Sequence, residues 1–193
     1  CEFCSIVAMN GRVPRTKGVG QLLAELDALY TRGWRGNVFI VDDNFIGNKK
    51  KLKQNILPAL RRWLEEKGHP FLFYTEVSMN LCDDEELIDM MVEANFNTVF
   101  VGIETTCEES LAEGGKIQNR GRDMVGAIKK LHGSGLQVYG GFIVGFDSDS
   151  AAVFDTMINF IQEAGIVTAM VGLLNAPSDT RLYKGLEREG RIL

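Results

Sequence analysis

Two cysteines open the chain in the segment Cys1-Glu2-Phe3-Cys4. A Cys-x-x-Cys pair places two thiolates within reach of one metal ion or cluster, or of each other. The chain starts on the first of them with no methionine, so the pair reads as the tail of a larger motif whose remainder precedes Cys1. Acidic and amide side chains form a second chemical set. Asp42, Asp43, Asn44, Glu76, Ser78, Asn80, Glu104, Thr105 and Asp147 all stand where an apolar run stops. For Asp147 and Thr105 the plain explanation is a helix cap. Glu76 and Glu104 continue the strand pattern instead and should point into the mouth of a barrel. Such an acidic ring could bind a hard divalent cation. It could equally hold the ammonium and hydroxyl groups of a polar cofactor by charge-assisted hydrogen bonds. Soft thiolates nearby favour the second use, because they select iron–sulfur or zinc centres.

Other reactive side chains carry weaker signals. In Gly140-Gly141-Phe142-Ile143-Val144-Gly145-Phe146, glycines flank and interrupt a strand. Glycine there marks a bulge, tight helix packing or close approach of backbone to a ligand. Arg120 and Arg122 precede that strand, and one of them is a candidate for a cofactor carboxylate. His69 and His132 lack metal-ligand spacing and read as structural. Cys82 and Cys107 follow strands and read as packing or loop residues.

The elements that must position these groups repeat a strand-then-helix unit. The apolar runs 38–41, 71–74, 99–103, 138–144 and 166–174 are rich in β-branched and aromatic residues. Runs of this kind suit strands buried on both faces of a parallel sheet. Between them, Leu22, Leu23, Leu26, Leu29 and Tyr30 lie at helical spacing ahead of Gly33. Asn48 is placed to cap a helix that closes at Gly68, with Pro58 expected to kink or split it. Asp83-x-x-Glu86 reads as a capping box, and Thr106-x-x-Glu109 as a further helix start. Two more amphipathic helices should end near Gly133 or Gly135 and at Gly165. A strand-to-strand period of about 30 residues matches a βαβ unit. Strands alternating with helices imply a parallel α/β sheet, as barrel or doubly wound layer. No glycine-rich phosphate loop follows the first strand; Gly18-Val19-Gly20 reads as a helix entrance, which disfavours a dinucleotide fold. In such folds the chemistry sits at the C-terminal ends of the strands.

Composition bounds the partners. The 193 residues suffice for one domain with a real core, and the net charge of −5 argues against nucleic acid as main partner. The basic run Lys49-Lys50-Lys51 with Lys53 reads as a solvated helix face. No apolar run approaches the roughly 20 residues of a transmembrane segment, and no signal peptide is visible. Four scattered cysteines fit a reducing compartment, hence the cytoplasm.

Taken together, these residues resemble the radical S-adenosylmethionine (SAM) superfamily, whose cluster motif is Cys-x-x-x-Cys-x-x-Cys with an aromatic residue before the last cysteine. Cys1-Glu2-Phe3-Cys4 matches its second half. The Asp42-Asp43-Asn44-Phe45 segment resembles the Asp-Asp-x-Phe form at the SAM amino group. Gly102-Ile103-Glu104 resembles the Gly-x-Glu-Ser motif near the ribose and methionine, with Thr105 in place of the serine. Gly141-Phe142-Ile143-Val144-Gly145 resembles the strand motif beside adenine, and Val171-Gly172-Leu173-Leu174 stands where the sixth strand offers adenine a backbone contact. The phrase spanning Ile6 to Arg15, together with Asp-Asp-Asn-Phe-Ile-Gly-Asn, is similar to cobalamin-binding-domain members of the hopanoid methylase-like subgroup.

The resemblance implies one radical SAM core domain over residues 1–193. Its fold would be a partial parallel (βα)6 barrel of the TIM-like type, lacking the first strand, which would precede Cys1. It implies Cys1 and Cys4 as ligands of a [4Fe–4S] cluster. SAM would be held by Asp42, Asp43, Asn44, Glu76, Glu104, Thr105, Arg122, Gly141, Ile143 and Gly145. The implied reaction is reductive cleavage of SAM to a 5′-deoxyadenosyl radical that attacks an unactivated carbon, with methyl transfer as one outcome. Cobalamin would come through a domain outside this chain. A small-molecule or lipid-like substrate and an electron donor such as flavodoxin or ferredoxin are the implied partners, with neither nucleic acid nor a transmembrane segment. With two of three cluster ligands, the isolated segment is expected to be inactive. Two other readings stay open on the residues alone. One is a carboxylate-metal α/β-barrel hydrolase or lyase using Asp42, Asp43, Glu76 and Glu104. The other is a non-catalytic, partner-binding fragment.

Overall fold

Each of the five apolar runs forms a strand. In the computed structural model, which describes residues 1–11 and 13–192, these are β1 (Gly36–Ile40), β2 (Phe71–Val77), β3 (Phe96–Glu104), β4 (Gln137–Val144) and β5 (Thr168–Leu173). They form one parallel sheet in sequential order, β1 to β5. Arg12, within the Ile6-to-Arg15 phrase, lies outside the described residues. The helices are α1 (Ile6–Asn10), α2 (Val19–Thr31), α3 (Lys49–Lys51), α4 (Leu57–Lys67), α5 (Glu85–Glu93), α6 (Glu108–Glu113), α7 (Met124–Gly133), α8 (Val153–Ala164) and α9 (Arg181–Arg188). The expected partial α/β barrel is therefore what the chain builds: a parallel half-barrel with every strand followed by helix.

Alternation along the strands divides the sheet into two faces. Phe71, Phe73 and Val77 of β2, Val99 and Val101 of β3, and Val138 and Phe142 of β4 are buried under the helices. Leu60 and Leu64 of α4, Leu87 and Met91 of α5, and Ile128 and Leu131 of α7 complete that core. The other face is concave and carries Phe39 stacked on Tyr74, with ring centroids 4.6 Å apart. Strand periodicity puts Glu76, Phe100, Gly102, Gly141 and Ile143 on the same side, rising toward the C-terminal rim.

Several helix boundaries follow local rules, and some depart from expectation. Gly18 precedes α2, its N–H donating to the Gln21 side chain at 2.9 Å. Asn48 caps α3 by accepting from the Lys51 N–H at 3.0 Å. Pro58 does not split its helix as expected: helical structure runs unbroken from Lys49 to Lys67, and a π turn at Leu52–Ile56, just ahead of Leu57, accommodates the proline. Gly68 and Gly165 close α4 and α8 in the left-handed conformation. The cap of α5 is Asp84, accepting from the Leu87 N–H at 3.2 Å, not Asp83. Asp83 is drawn instead to Arg122, and Glu86 to Lys53. α6 begins after Cys107 with no side-chain cap, because the Thr106 hydroxyl faces Thr156. The lysine run is no freely solvated face: Lys49 and Lys53 both pair with Asp84.

Candidate functional site

The C-terminal ends of the strands are shaped by a few local interactions. Asn44, just past β1, accepts a hydrogen bond from the Ser78 N–H through Oδ1 at 3.1 Å, tying the ends of β1 and β2 together. The end of β3 is more unusual. The β3–β4 register slips between Gly102 and Glu104, and Glu104 has φ +70. The Thr105 N–H donates to the Ile103 carbonyl at 3.0 Å, closing a three-residue turn around Glu104. A non-glycine residue held there stores backbone strain, which recurs at functional sites.

Glu104 is held by a cation that sequence reading missed. Lys116 Nζ lies 2.5 Å from Glu104 Oε1, and both side chains are 11% exposed. Asn119 secures the same corner, its Nδ2 donating to the Gly102 and Ile103 carbonyls at 3.1 Å each. Its buried Oδ1 has no partner among the described residues. Gly102 is glycine for a steric reason: a Cβ would sit 2.5 Å from Glu104 Oε1 and 2.9 Å from Lys116 Nζ. Gly141 opens the next strand similarly, since a Cβ would meet the Phe100 ring at 2.6 Å. The Glu104–Lys116 pair thus fills the space over Gly102, and the Phe100 ring fills that over Gly141 on the concave face.

These groups surround a cavity of about 540 Å³. It gathers Cys1, Cys4, Asp43, Asn44, Glu76, Glu104, Gly141, Ile143, Val171 and Gly172 from the residues expected there, and adds Lys116, Gln118, Phe100 and Met170. Asp42 faces a neighbouring cavity of about 680 Å³ that shares Asp43 and Asn44. Three expected residues stand outside both. Thr105 is buried and accepts from the Cys107 N–H at 3.2 Å. Gly145 donates its N–H to Asp149 at 2.8 Å. Arg122 makes a bidentate pair with Asp83, at 2.7 and 2.8 Å. Both Cys1 and Cys4 are free thiols. Among the described residues, no group of three or more His, Cys, Asp or Glu side chains converges tightly enough to hold a metal ion.

The electrostatics favour a cationic ligand. Burial raises the Asp42 carboxyl above its ordinary range; a hydrogen bond from the Asn44 backbone offsets part of this, and the neighbouring Asp43 adds to it. Burial likewise raises Glu76, helped by Asp43 and Asp42. Carboxylates crowded, as here, without a cation partner among the described residues are the natural receptor for an ammonium or sulfonium group. Lys116 is the one Lys or Arg among the described residues lining the cavity, and it spends one of its three N–H donors on Glu104.

The remaining candidates have local roles. Asp149 accepts from Ser110, Gly145 and Phe146, so it is consumed by the β4 rim. Cys82 donates to the Ala127 carbonyl at 3.5 Å, and burial raises its thiol. His132 Nε2 accepts from the Val138 N–H at 3.3 Å. No described helix is long and apolar enough to cross a membrane.

Comparison with known proteins converges on one family. The model of the radical SAM superfamily matches residues 1–161. An uncharacterized methyltransferase of Synechocystis sp. is 47% identical over the whole chain. The hopanoid C-2 methylase of Rhodopseudomonas palustris is 36% identical, again over the whole chain. The chain spans 36% of the length of each of these relatives. Among solved structures, the radical SAM methyltransferase TsrM from Kitasatospora setae, with cobalamin and a [4Fe–4S] cluster bound, superposes with TM-score 0.82. It is 15% identical, and the match covers 98% of this chain and 35% of that one, so it bears on the fold.

Proposed function

Because the chain belongs to the radical SAM superfamily, we propose that it is the catalytic core of a SAM-dependent methyltransferase, with cluster ligands at Cys1 and Cys4 and the SAM site in the cavity beside them. One observation carries the reading: two free thiols, the carboxylates of Asp43 and Glu76 and the Glu104–Lys116 pair converge on the C-terminal rim of a parallel half-barrel. The donor set fits the groups. Two soft thiolates suit iron, and the acid-plus-lysine lining suits a zwitterionic sulfonium ligand. The third thiolate is proposed to lie ahead of Cys1 in the parent polypeptide. When bound, the [4Fe–4S] cluster supplies the electron for reductive cleavage of the SAM sulfonium bond, giving radical chemistry that reaches unactivated carbon.

The chain's own residues bind, orient and shield. Asp43, Asn44 and Glu76 accept hydrogen bonds from the SAM amino and hydroxyl groups. Lys116 takes the carboxylate, the task Arg122 cannot perform while clamped to Asp83. Glu104 positions Lys116. Ile143 of β4 and Gly172 of β5, with the Phe100 ring that covers Gly141, offer an apolar surface to the adenine. Asp42 extends the acidic rim toward the adjoining cavity. A cobalamin domain outside these residues supplies the methyl carrier, and a lipid-like acceptor is proposed from the hopanoid methylase relative. Reducing equivalents come from a flavodoxin- or ferredoxin-class donor in the cytoplasm.

The test is anaerobic reconstitution of the full-length protein with iron and sulfide. The expected product is brown, binds SAM by calorimetry and cleaves it on reduction. A colourless protein without SAM affinity would overturn the proposal.

A further inference from the structure

The dipeptide Glu2-Phe3 between the two cysteines is gripped from three places on the half-barrel rim. The Glu2 N–H donates to the Gly114 carbonyl at 2.9 Å, and the Glu2 carbonyl accepts from the Leu182 N–H at 3.0 Å. The Glu2 carboxylate also receives Arg181 at 3.3 Å. Phe3 lies edge-on to Phe146, with centroids 6.2 Å apart. Gly114 and Gly115 follow α6, Phe146 follows β4, and Arg181 and Leu182 begin α9 beyond β5. The contacts therefore reach the cysteine segment from three separate places: the end of α6, the loop after β4 and the first turn of α9.

The two glycines are fitted to this segment. A Cβ on Gly114 would meet Phe146 at 3.0 Å and Phe3 at 3.1 Å. Gly115 has φ +63, and a Cβ there would press the Glu2 side chain at 3.2 Å. α9 is itself anchored. Arg191, just beyond it, forms a bidentate pair with Asp147 at 2.6 and 2.7 Å. Thr180 caps its first turn, accepting from the Tyr183 N–H at 3.1 Å.

We propose that the Gly114-Gly115 turn and the first turn of α9 form a preformed seat that fixes the Cys1–Cys4 segment before any cluster is bound, with Gly115 as a positioning residue. This rests on the assignment of Cys1 and Cys4 as cluster ligands. The seat links the strand ends that line the SAM cavity to the thiolates, so the distance between cluster and SAM is set by backbone contacts instead of by the cluster itself. Ligands held in advance lose less freedom on binding.

Two substitutions test the seat in the full-length protein. Gly115→Ala introduces the Cβ at Glu2. Gly121→Ala is its control, because Gly121 has a nearly identical φ of +61 and nothing within 4 Å of its Cβ position. Leu182→Pro removes the N–H that Glu2 accepts, in the first helical turn, where proline is tolerated. Hydrogen exchange of peptides covering residues 1–5 is read first, in the metal-free protein. Loss of one such contact should accelerate exchange about tenfold in Gly115→Ala and Leu182→Pro. Gly121→Ala should stay within about twofold of the parent. After reconstitution, the first two should retain half the iron or less and show a broadened electron paramagnetic resonance signal. Unchanged exchange in both variants, or equal effects of Gly115→Ala and Gly121→Ala, would overturn the seat. A parent that takes up no iron would instead overturn the cluster assignment, while the exchange data still judge the contacts.

Discussion

Glu76 shows what crowding acids around an empty-handed rim does to a single side chain. Its raised carboxyl means that the folded state binds the proton more tightly than the unfolded chain. Stability contributed by this group therefore falls as pH rises from the ordinary carboxylate range through the raised folded value, and stays lower at neutral pH. Glu76→Gln should raise Tm by about 1–2 °C at pH 7, with no gain at pH 4, since partial exposure screens the effect. The same variant should bind SAM more weakly, which separates a ligand role from a structural one. Lys116→Met tests the opposite charge. It should weaken SAM binding at least tenfold, the scale of a buried charge-assisted contact. Affinity for decarboxylated SAM should be nearly unchanged. Equal losses for both ligands would mean that Lys116 serves only to hold Glu104. The acids and cysteines were legible in the sequence because their types stand out where apolar runs stop. Lys116 was not, because its place beside Glu104 depends on the segment after α6 folding back over the end of β3. Its one local signal is the Gly114-Gly115 pair before it.

At the scale of elements, apolar runs identified all five strands, and the sheet lengthened most of them. β2 continues through Glu76 because its concave face borders a cavity and tolerates a polar side chain, while Thr75 lies with Phe73 and Val77 on the buried face, its hydroxyl donating to the Ile40 carbonyl at 2.9 Å. A residue-by-residue reading of hydrophobicity stops too early there. The start of α5 shows a different limit. Asp83 and Asp84 are equivalent in the sequence, and tertiary partners separate them: Arg122 takes the first, while Lys53 and the Leu87 N–H take the second. Asp84→Ala should cost about 1–2 kcal/mol in urea unfolding, the scale of a lost cap. Asp83→Ala should cost less than about 1 kcal/mol, as exposed ion pairs do. The Asp84 carboxyl lies below its ordinary range, chiefly through Lys53. Its contribution should be present above the unfolded carboxylate range and fade as pH falls through the depressed folded value. Equal penalties for the two alanines would show that the cap contributes nothing beyond surface charge.

For the whole molecule, burial is uneven across the sheet. The central strands are packed under helices, yet β5 exposes Met170, Val171 and Leu173, each more than half accessible, and α8 beside it exposes Phe154 and Ile158. A strand with an unpaired edge and apolar side chains open on both faces is a template for further pairing or packing. Periodicity could not reveal this, because a continuous apolar run reads as fully buried whether or not its neighbours are present. The relatives run to far greater length than these 193 residues, so their remaining chain has room to cover that edge. Hydrogen exchange should therefore show a gradient in the 193-residue segment, with slow amides in β2 to β4 and fast ones in β5. In the full-length protein the β5 amides should slow by at least about tenfold, while those of β3 change little. Replacing Val171 and Leu173 together with lysine should leave the segment's Tm within a few degrees, because neither side chain is buried in it. The same double replacement should destabilise the full-length protein by several kcal/mol if that face is buried there. If both forms tolerated the lysines equally and β5 exchanged equally fast in each, the face would be a true outer surface, and the half-barrel would stand open at β5 in the complete enzyme.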